Sequence, residues 1–263
     1  MTGSKLLLAV TAVVLAAGVG LRGQPPTVRI DGGLVSGVAG GTPKMRVFKG
    51  IPFAAPPIGP LRWRPPQPVR SWNGVRQADQ FSARCVQPGE AAAGRQGVTA
   101  ATAPPMSEDC LYLNVWTEAA SASERRPVIV WSHGGAFTIG TGSARDGEAL
   151  ARKGAVVVAY NYRLGPFGFF SHPELSRESG RNASGNYGLM DLLAVLRWVK
   201  QNITAFGGDP NRVTLVGQSA GGRLTRAMVA SSHGKGLFHR AISQSVHSFP
   251  TRRSSDLDRK SVV

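Results

Sequence analysis

The sequence predicts an α/β fold with a mostly parallel central sheet, and three observations carry that expectation. Val128-Ile129-Val130-Trp131 and Ala155-Val156-Val157-Val158-Ala159-Tyr160 are continuous apolar runs, the pattern of strands buried on both faces. A third strand, Val213–Val216, runs straight into a Gly-x-Ser-x-Gly turn at Gly217–Gly221, with a possible helix after it. Between the second and third strands, Asn186–Ile203 places Leu189, Leu192, Leu193, Leu196, Val199 and Ile203 at three- and four-residue spacing, one apolar helical face. Buried strands alternating with a helical crossover define this class.

The elements follow in order along the chain. Met1–Gly20 has one early lysine, Lys5, then the apolar stretch Leu6–Val19, with small residues at Ala17, Gly18 and Gly20. This is the layout of a signal peptide over residues 1–23, cleaved between Ala17 and Gly23, and it implies export to a secreted or periplasmic location. An uncleaved membrane anchor is the alternative, although the apolar core is short for a spanning helix. Thr27–Phe53 reads as short strands and turns, a small meander at the domain edge. Ala54–Val69 holds six prolines and reads as an irregular extended segment.

Two cysteines, Cys85 and Cys110, suit an exported chain with one disulfide, two free thiols being the alternative. A bridge would close a loop of 24 intervening residues and contribute roughly 3 kcal/mol. Gln87–Pro105 is Ala-, Gly- and Pro-rich and reads as a loop; Cys110–Trp116 alternates as a strand. Gly207-Gly208 stops the long helix, and Asp209-Pro210 makes the turn into the third strand.

Composition narrows the function classes. The 263 residues, 42% hydrophobic and 17% charged, suit one large domain or two small ones with a substantial core. The net charge of +16 suggests nucleic acid or a membrane surface at first sight. The basic residues are scattered, however, with no basic run of five and no aromatic-interleaved stripe, so nucleic acid is not expected as a partner.

The chemistry gathers at two turns. Gly217 and Gly221 lack a Cβ, so backbone can pass close to a strained turn with Ser219 at its apex, a candidate nucleophile. The strand ending at Trp131 leads into Ser132-His133-Gly134-Gly135-Ala136-Phe137, a glycine-rich turn exposing backbone N–H groups. Acyl transfer needs such donors where charge builds on a tetrahedral oxygen. His133 precedes the serine and reads as a residue holding its loop by hydrogen bonds rather than as the base. No histidine pair has metal-ligand spacing, and no dinucleotide or P-loop motif follows a strand, so no cofactor and no metal is implied.

These motifs carry a resemblance. FKGIPFA (Phe48–Ala54), SEDCLYLNVW (Ser107–Trp116), HGGAF (His133–Phe137), NYRLGPFGF (Asn161–Phe169), GNYGLMDLLAVLRWVKQNI (Gly185–Ile203) and FGGDPNRVTLVGQSAGG (Phe206–Gly222) together resemble the type-B carboxylesterases, which include cholinesterase-like enzymes. The Ser107–Trp116 block and the serine turn are jointly specific to that family. The resemblance implies an α/β-hydrolase fold, incomplete here, with residues 24–246 as the N-terminal part of the domain and the C-terminal half missing. By position it makes Ser219 the acylated nucleophile, Gly135, Ala136 and Ala220 the oxyanion-hole donors, and Cys85–Cys110 the family's first disulfide. It also implies structural roles for Asp191, Asp209 and Glu108, and no catalytic position for His172, His233 or His239. It implies a small-molecule ester as substrate and no stable membrane partner, and it leaves the oligomeric state undetermined. A non-catalytic cholinesterase-like binding module is the alternative; its members lose the serine or the turn around it, whereas Gly217–Gly221 is intact.

Two departures stand out. The residue before the nucleophile is usually glutamate in the family and is Gln218 here, which favours neutral, fairly apolar esters over cationic ones. Arg223 and Arg226 occupy a helix the family fills with small or apolar residues; projection sets Leu224, Ala227 and Met228 on one side and the arginines elsewhere. The family's triad acid and histidine are expected beyond this chain. His247–Leu257, HSFPTRRSSDL, resembles the translation of a sequencing adapter, and residues 247–263 are expected to be an artefactual tail. On that expectation the chain by itself is inactive and leaves apolar sheet edges open.

Overall fold

The computed structural model describes residues 26–88 and 104–245. The expected signal peptide, most of the loop between the cysteines and the expected tail lie outside the described residues. The N-terminal segment forms β1 (Thr27–Ile30), β2 (Gly33–Ser36), β3 (Val38–Ala39), β4 (Arg46–Pro52) and β5 (Val75–Gln77). Next come the short β6 (Arg84–Cys85) and β7 (Met106–Ser107), then β8 (Tyr112–Thr117) and β9 (Arg126–Ser132). The remainder alternates: α1 (Glu148–Ala151), β10 (Val156–Tyr160), α2 (Gly165–Phe169), α3 (Pro173–Glu178), α4 (Tyr187–Asn202), β11 (Gly208–Gln218), α5 (Ala220–Ala230) and β12 (Arg240–Gln244).

The central sheet has seven strands in the order β12-β11-β9-β10-β8-β4-β3. The first four run parallel, while β8, β4 and β3 join antiparallel. The sheet is therefore mixed, and the expectation of a mostly parallel sheet holds only for the half that carries the serine. Parallel neighbours need a long crossover. Among the described residues, nothing ahead of β9 offers a helix longer than a single 3₁₀ turn; β3, β4 and β8 join this sheet antiparallel, while β2–β5 and β6–β7 pair in parallel outside it.

Register explains why the apolar runs form strands. Val128 stands opposite Val156 and Val213, and Val130 opposite Val158 and Leu215, making one fully buried layer. Each such side chain contributes about 1.5–3 kcal/mol relative to leaving it exposed. On the other face Val157 and Ala159 pack with Met45, Val47, Trp116 and Ala151. Helix α4 lies over the first layer with Leu192, Leu196 and Val199 buried as expected, and Ile203, in the 3₁₀ turn after it, is buried too. Leu189 and Leu193 are only half-buried, while Val195 and Trp198, absent from the sequence pattern, are buried instead. The helix is gripped on a flank as well as below, because Asp191 accepts the Arg163 N–H and guanidinium.

Gly207 (φ 80°) turns the chain out of the 3₁₀ turn that follows α4. The expected turn at Asp209-Pro210 is instead an irregularity inside β11, whose register with β9 shifts between Gly208 and Val213. Cys85 and Cys110 are joined in a disulfide, both buried, beside the parallel pair β6 and β7. Among the described residues, no helix is long and apolar enough to cross a membrane.

Candidate active site

Ser219 occupies the junction of β11 and α5 with φ 56° and ψ −116°. A non-glycine residue holds such a conformation only where its surroundings fix it. Here two glycines let the surroundings close in. A Cβ on Gly217 would lie 2.1 Å from the Gly221 carbonyl oxygen, and one on Gly221 2.1 Å from the Ser132 carbonyl oxygen. The Ser219 N–H donates to the Gln244 carbonyl of β12 at 2.8 Å, and its carbonyl accepts the Arg223 N–H at 3.1 Å. The half-buried serine thus stands at the carboxyl edge of the parallel strands, on the N-terminus of a helix whose dipole favours negative charge.

The turn after β9 meets it there. A Cβ on Gly134 would stand 2.4 Å from Gln218 Oε1 and 3.1 Å from the Ser219 Cβ. Gly135, Ala136 and Phe137 follow with φ of 116°, 55° and 63°. At Gly135 a side chain has no room, since its Cβ would fall 1.9 Å from the Ile139 carbonyl oxygen.

Carbonyl bonding decides which way the N–H groups point. The Gly134 carbonyl accepts from His133 Nδ1 at 2.8 Å, and the Gly135 carbonyl accepts from the Thr138 and Ile139 N–H groups, each at 3.0 Å. In a trans peptide the next N–H points the opposite way. Gly135 and Ala136 N–H are thereby turned away from the loop's own acceptors. Among the described residues neither finds a protein acceptor, and the Ala220 N–H at the start of α5 finds none either. Such an array can stabilise an oxyanion beside Ser219.

His133 is fully enclosed. Burial holds its imidazole down to about 4, so it is neutral near pH 7. Because a carbonyl only accepts, Nδ1 carries the proton. Its ring stacks on Tyr162 with centroids 4.3 Å apart, and Tyr162 Oη donates to the His133 carbonyl at 2.9 Å. The Gly165 N–H fixes the far end of the loop on the Phe137 carbonyl at 2.7 Å. Tyr162 was not singled out from the sequence; its signal was an aromatic residue following a buried strand.

The carboxylates singled out in the sequence are each held by an arginine. Asp191 pairs with Arg163 at 2.7 Å, Asp209 with Arg125 at 2.9 Å, and Glu108 takes Arg62 in a two-point pair. His172 caps α3 through the Glu174 N–H, and His239 Nδ1 accepts the Val213 N–H. Arg223 and Arg226 lie on the exposed side of α5, while Leu224 and Met228 are buried and Ala227 is exposed. No described histidine or carboxylate is hydrogen-bonded to Ser219. Among the described residues no group of three potential ligands could hold a metal ion.

An elbow serine packed against a glycine-rich donor loop on parallel strands is matched by sequence over residues 24–258, the Carboxylesterase family. The chain belongs to that family. It is 46% identical over 242 residues to a fumonisin B1 esterase of Sphingopyxis macrogoltabida, covering 91% of this chain and 43% of the relative. It is 45% identical over 224 residues to a human cocaine esterase, covering 83% of this chain and 39% of the relative. A solved thermophilic PNB esterase superposes with a TM-score of 0.74 at 41% identity, over 82% of this chain and 43% of that one. The fold is that of these α/β-hydrolase esterases. The chain spans less than half the length of the relatives it matches.

Proposed function

We propose that the parent protein is a serine carboxylic ester hydrolase acting through an acyl-enzyme on neutral, fairly apolar esters. The observation that supports this reading is the close approach of Gly134 to Gln218 and the strained Ser219, in a loop whose Gly135 and Ala136 N–H groups, like that of Ala220, have no acceptor among the described residues. Ser219 Oγ bonds to the ester carbonyl carbon and gives up its proton to a general base. The carbonyl oxygen takes the negative charge and is held by the Gly135, Ala136 and Ala220 N–H groups. Collapse expels the alcohol, which receives that proton; water then attacks the acyl-serine and releases the acid. The base that the family implies is a histidine.

Gln218 gives the substrate preference. Its carboxamide lies against Gly134 and carries no charge to attract a cationic alcohol group. Residues 1–23, read as a signal peptide, place the enzyme outside the cytoplasm, with a small-molecule ester as its partner. Hydrolysis of p-nitrophenyl butyrate by the full-length gene product tests the reading. A rapid burst of p-nitrophenol, lost in Ser219→Ala, is expected; a Ser219→Ala variant that turns over like the parent would sink it.

A further inference from the structure

Gln87 lies two residues beyond Cys85, at the root of the loop between the cysteines, and its carboxamide makes three hydrogen bonds. Nε2 donates to the Gly140 carbonyl and to the Cys85 carbonyl, each at 3.0 Å, while Oε1 accepts the Gly140 N–H at 2.9 Å. Both backbone groups of Gly140 are therefore clamped by one side chain that is itself tied to the disulfide strand.

Gly140 is no ordinary loop position. It has φ 127°, and a Cβ there would fall 2.2 Å from His133 Nδ1 and 2.6 Å from the Gly134 carbonyl oxygen. The Gly140 backbone lies directly on the hydrogen bond that orients the Gly134–Gly135 peptide. A second tether runs in parallel. Asn161 Oδ1 accepts the Gly142 N–H at 2.8 Å, and its Nδ2 donates to the Cys110 carbonyl at 3.1 Å. The two ends of the disulfide are thus each wired by a carboxamide to the segment that closes over the donor loop.

We propose that Gln87 is a positioning residue of the oxyanion loop, pressing Gly140 onto the His133–Gly134 hydrogen bond and so keeping the Gly135 N–H aimed beside Ser219. This rests on the esterase reading of Ser219 and deepens it. Only a primary carboxamide of this length supplies two donors and one acceptor together. A carboxylate would set a second acceptor against the Gly140 carbonyl, and a thioether would offer neither donor.

The test compares the full-length gene product with Gln87→Glu and Gln87→Met. A misaimed donor lowers the chemical step, so kcat for p-nitrophenyl butyrate is expected to fall about tenfold or more, with KM unchanged within about twofold. A trifluoromethyl ketone forms a tetrahedral adduct with the serine and feels the same donors, so its Ki should weaken by the same factor. Variants that melt earlier but keep both kcat and Ki would reduce Gln87 to a structural residue and overturn the proposal. Should neither variant fold, amide exchange of Gly140 in the parent decides: protection is expected, and exchange as fast as an unbonded amide would refute the clamp. Absence of Ser219-dependent turnover in the parent would instead remove the esterase reading itself.

Discussion

Tyr162 holds His133 twice, by a 2.9 Å hydrogen bond from its hydroxyl to the His133 carbonyl and by a ring stacked 4.3 Å away at 15°. Tyr162→Phe keeps the stack and strips the bond, leaving a buried carbonyl unpaired. An unpaired buried group costs about 1–3 kcal/mol. Urea unfolding of the parent and variant should differ by that amount, and equal midpoints with equal slopes would show that the bond contributes nothing.

Gly134→Ala tests the contact between loop and serine. Its Cβ would meet the Gln218 carbonyl at 2.9 Å as well as the flexible Oε1, so the loop has to back away. A displacement of about 1 Å at a reacting centre lowers turnover by about 10²-fold. Stopped-flow acylation rates check it; a variant acylating at the parent's rate would mean that the loop does not abut the site.

Asp191 and Arg163 form a buried ion pair with exposures of 0% and 3%. Asp191→Asn leaves the guanidinium uncompensated, and breaking one partner of such a pair costs about 3–5 kcal/mol. The expected readout is a large drop in denaturation midpoint with little change in KM.

His133 links stability to pH. Burial depresses its imidazole from 6.5 to about 4. Between those values the unfolded chain binds a proton that the folded chain does not, so stability rises with pH there. It is lost as pH falls through that window, by at most ~1.4 kcal/mol per unit from this group, and the loss is complete below the folded value. Unfolding curves across the window should be less steep in pH for His133→Gln than for the parent.

Much of the site-bearing half is legible in the sequence because its strands are continuous apolar runs, although only β10 is buried on both faces, Ile129 and Trp131 of β9 being half-buried. Val128–Trp131 and Val156–Tyr160 have no polar interruption, and Tyr187–Asn202 keeps a helical period long enough to outweigh local ambiguity. The antiparallel half is not legible from alternation: Tyr112–Thr117 shows that a strand forms but not that β10 and β4 flank it. Val195 and Trp198 escape the pattern because the helix is packed on a second flank, which periodicity against a single sheet does not anticipate. Gln87 escapes for a different reason. A single carboxamide in an Ala-, Gly- and Pro-rich loop has no period, and its meaning depends on a backbone 53 residues away.

The central claim is that Ser219 is an activated nucleophile, and covalent labelling reads it most directly. The full-length gene product is treated with a fluorophosphonate, digested, and the adduct mapped by peptide mass spectrometry. One adduct on the peptide containing Ser219, absent in Ser219→Ala, is the expected result. A parent protein that stays unlabelled, or carries its adduct on another serine, would contradict it.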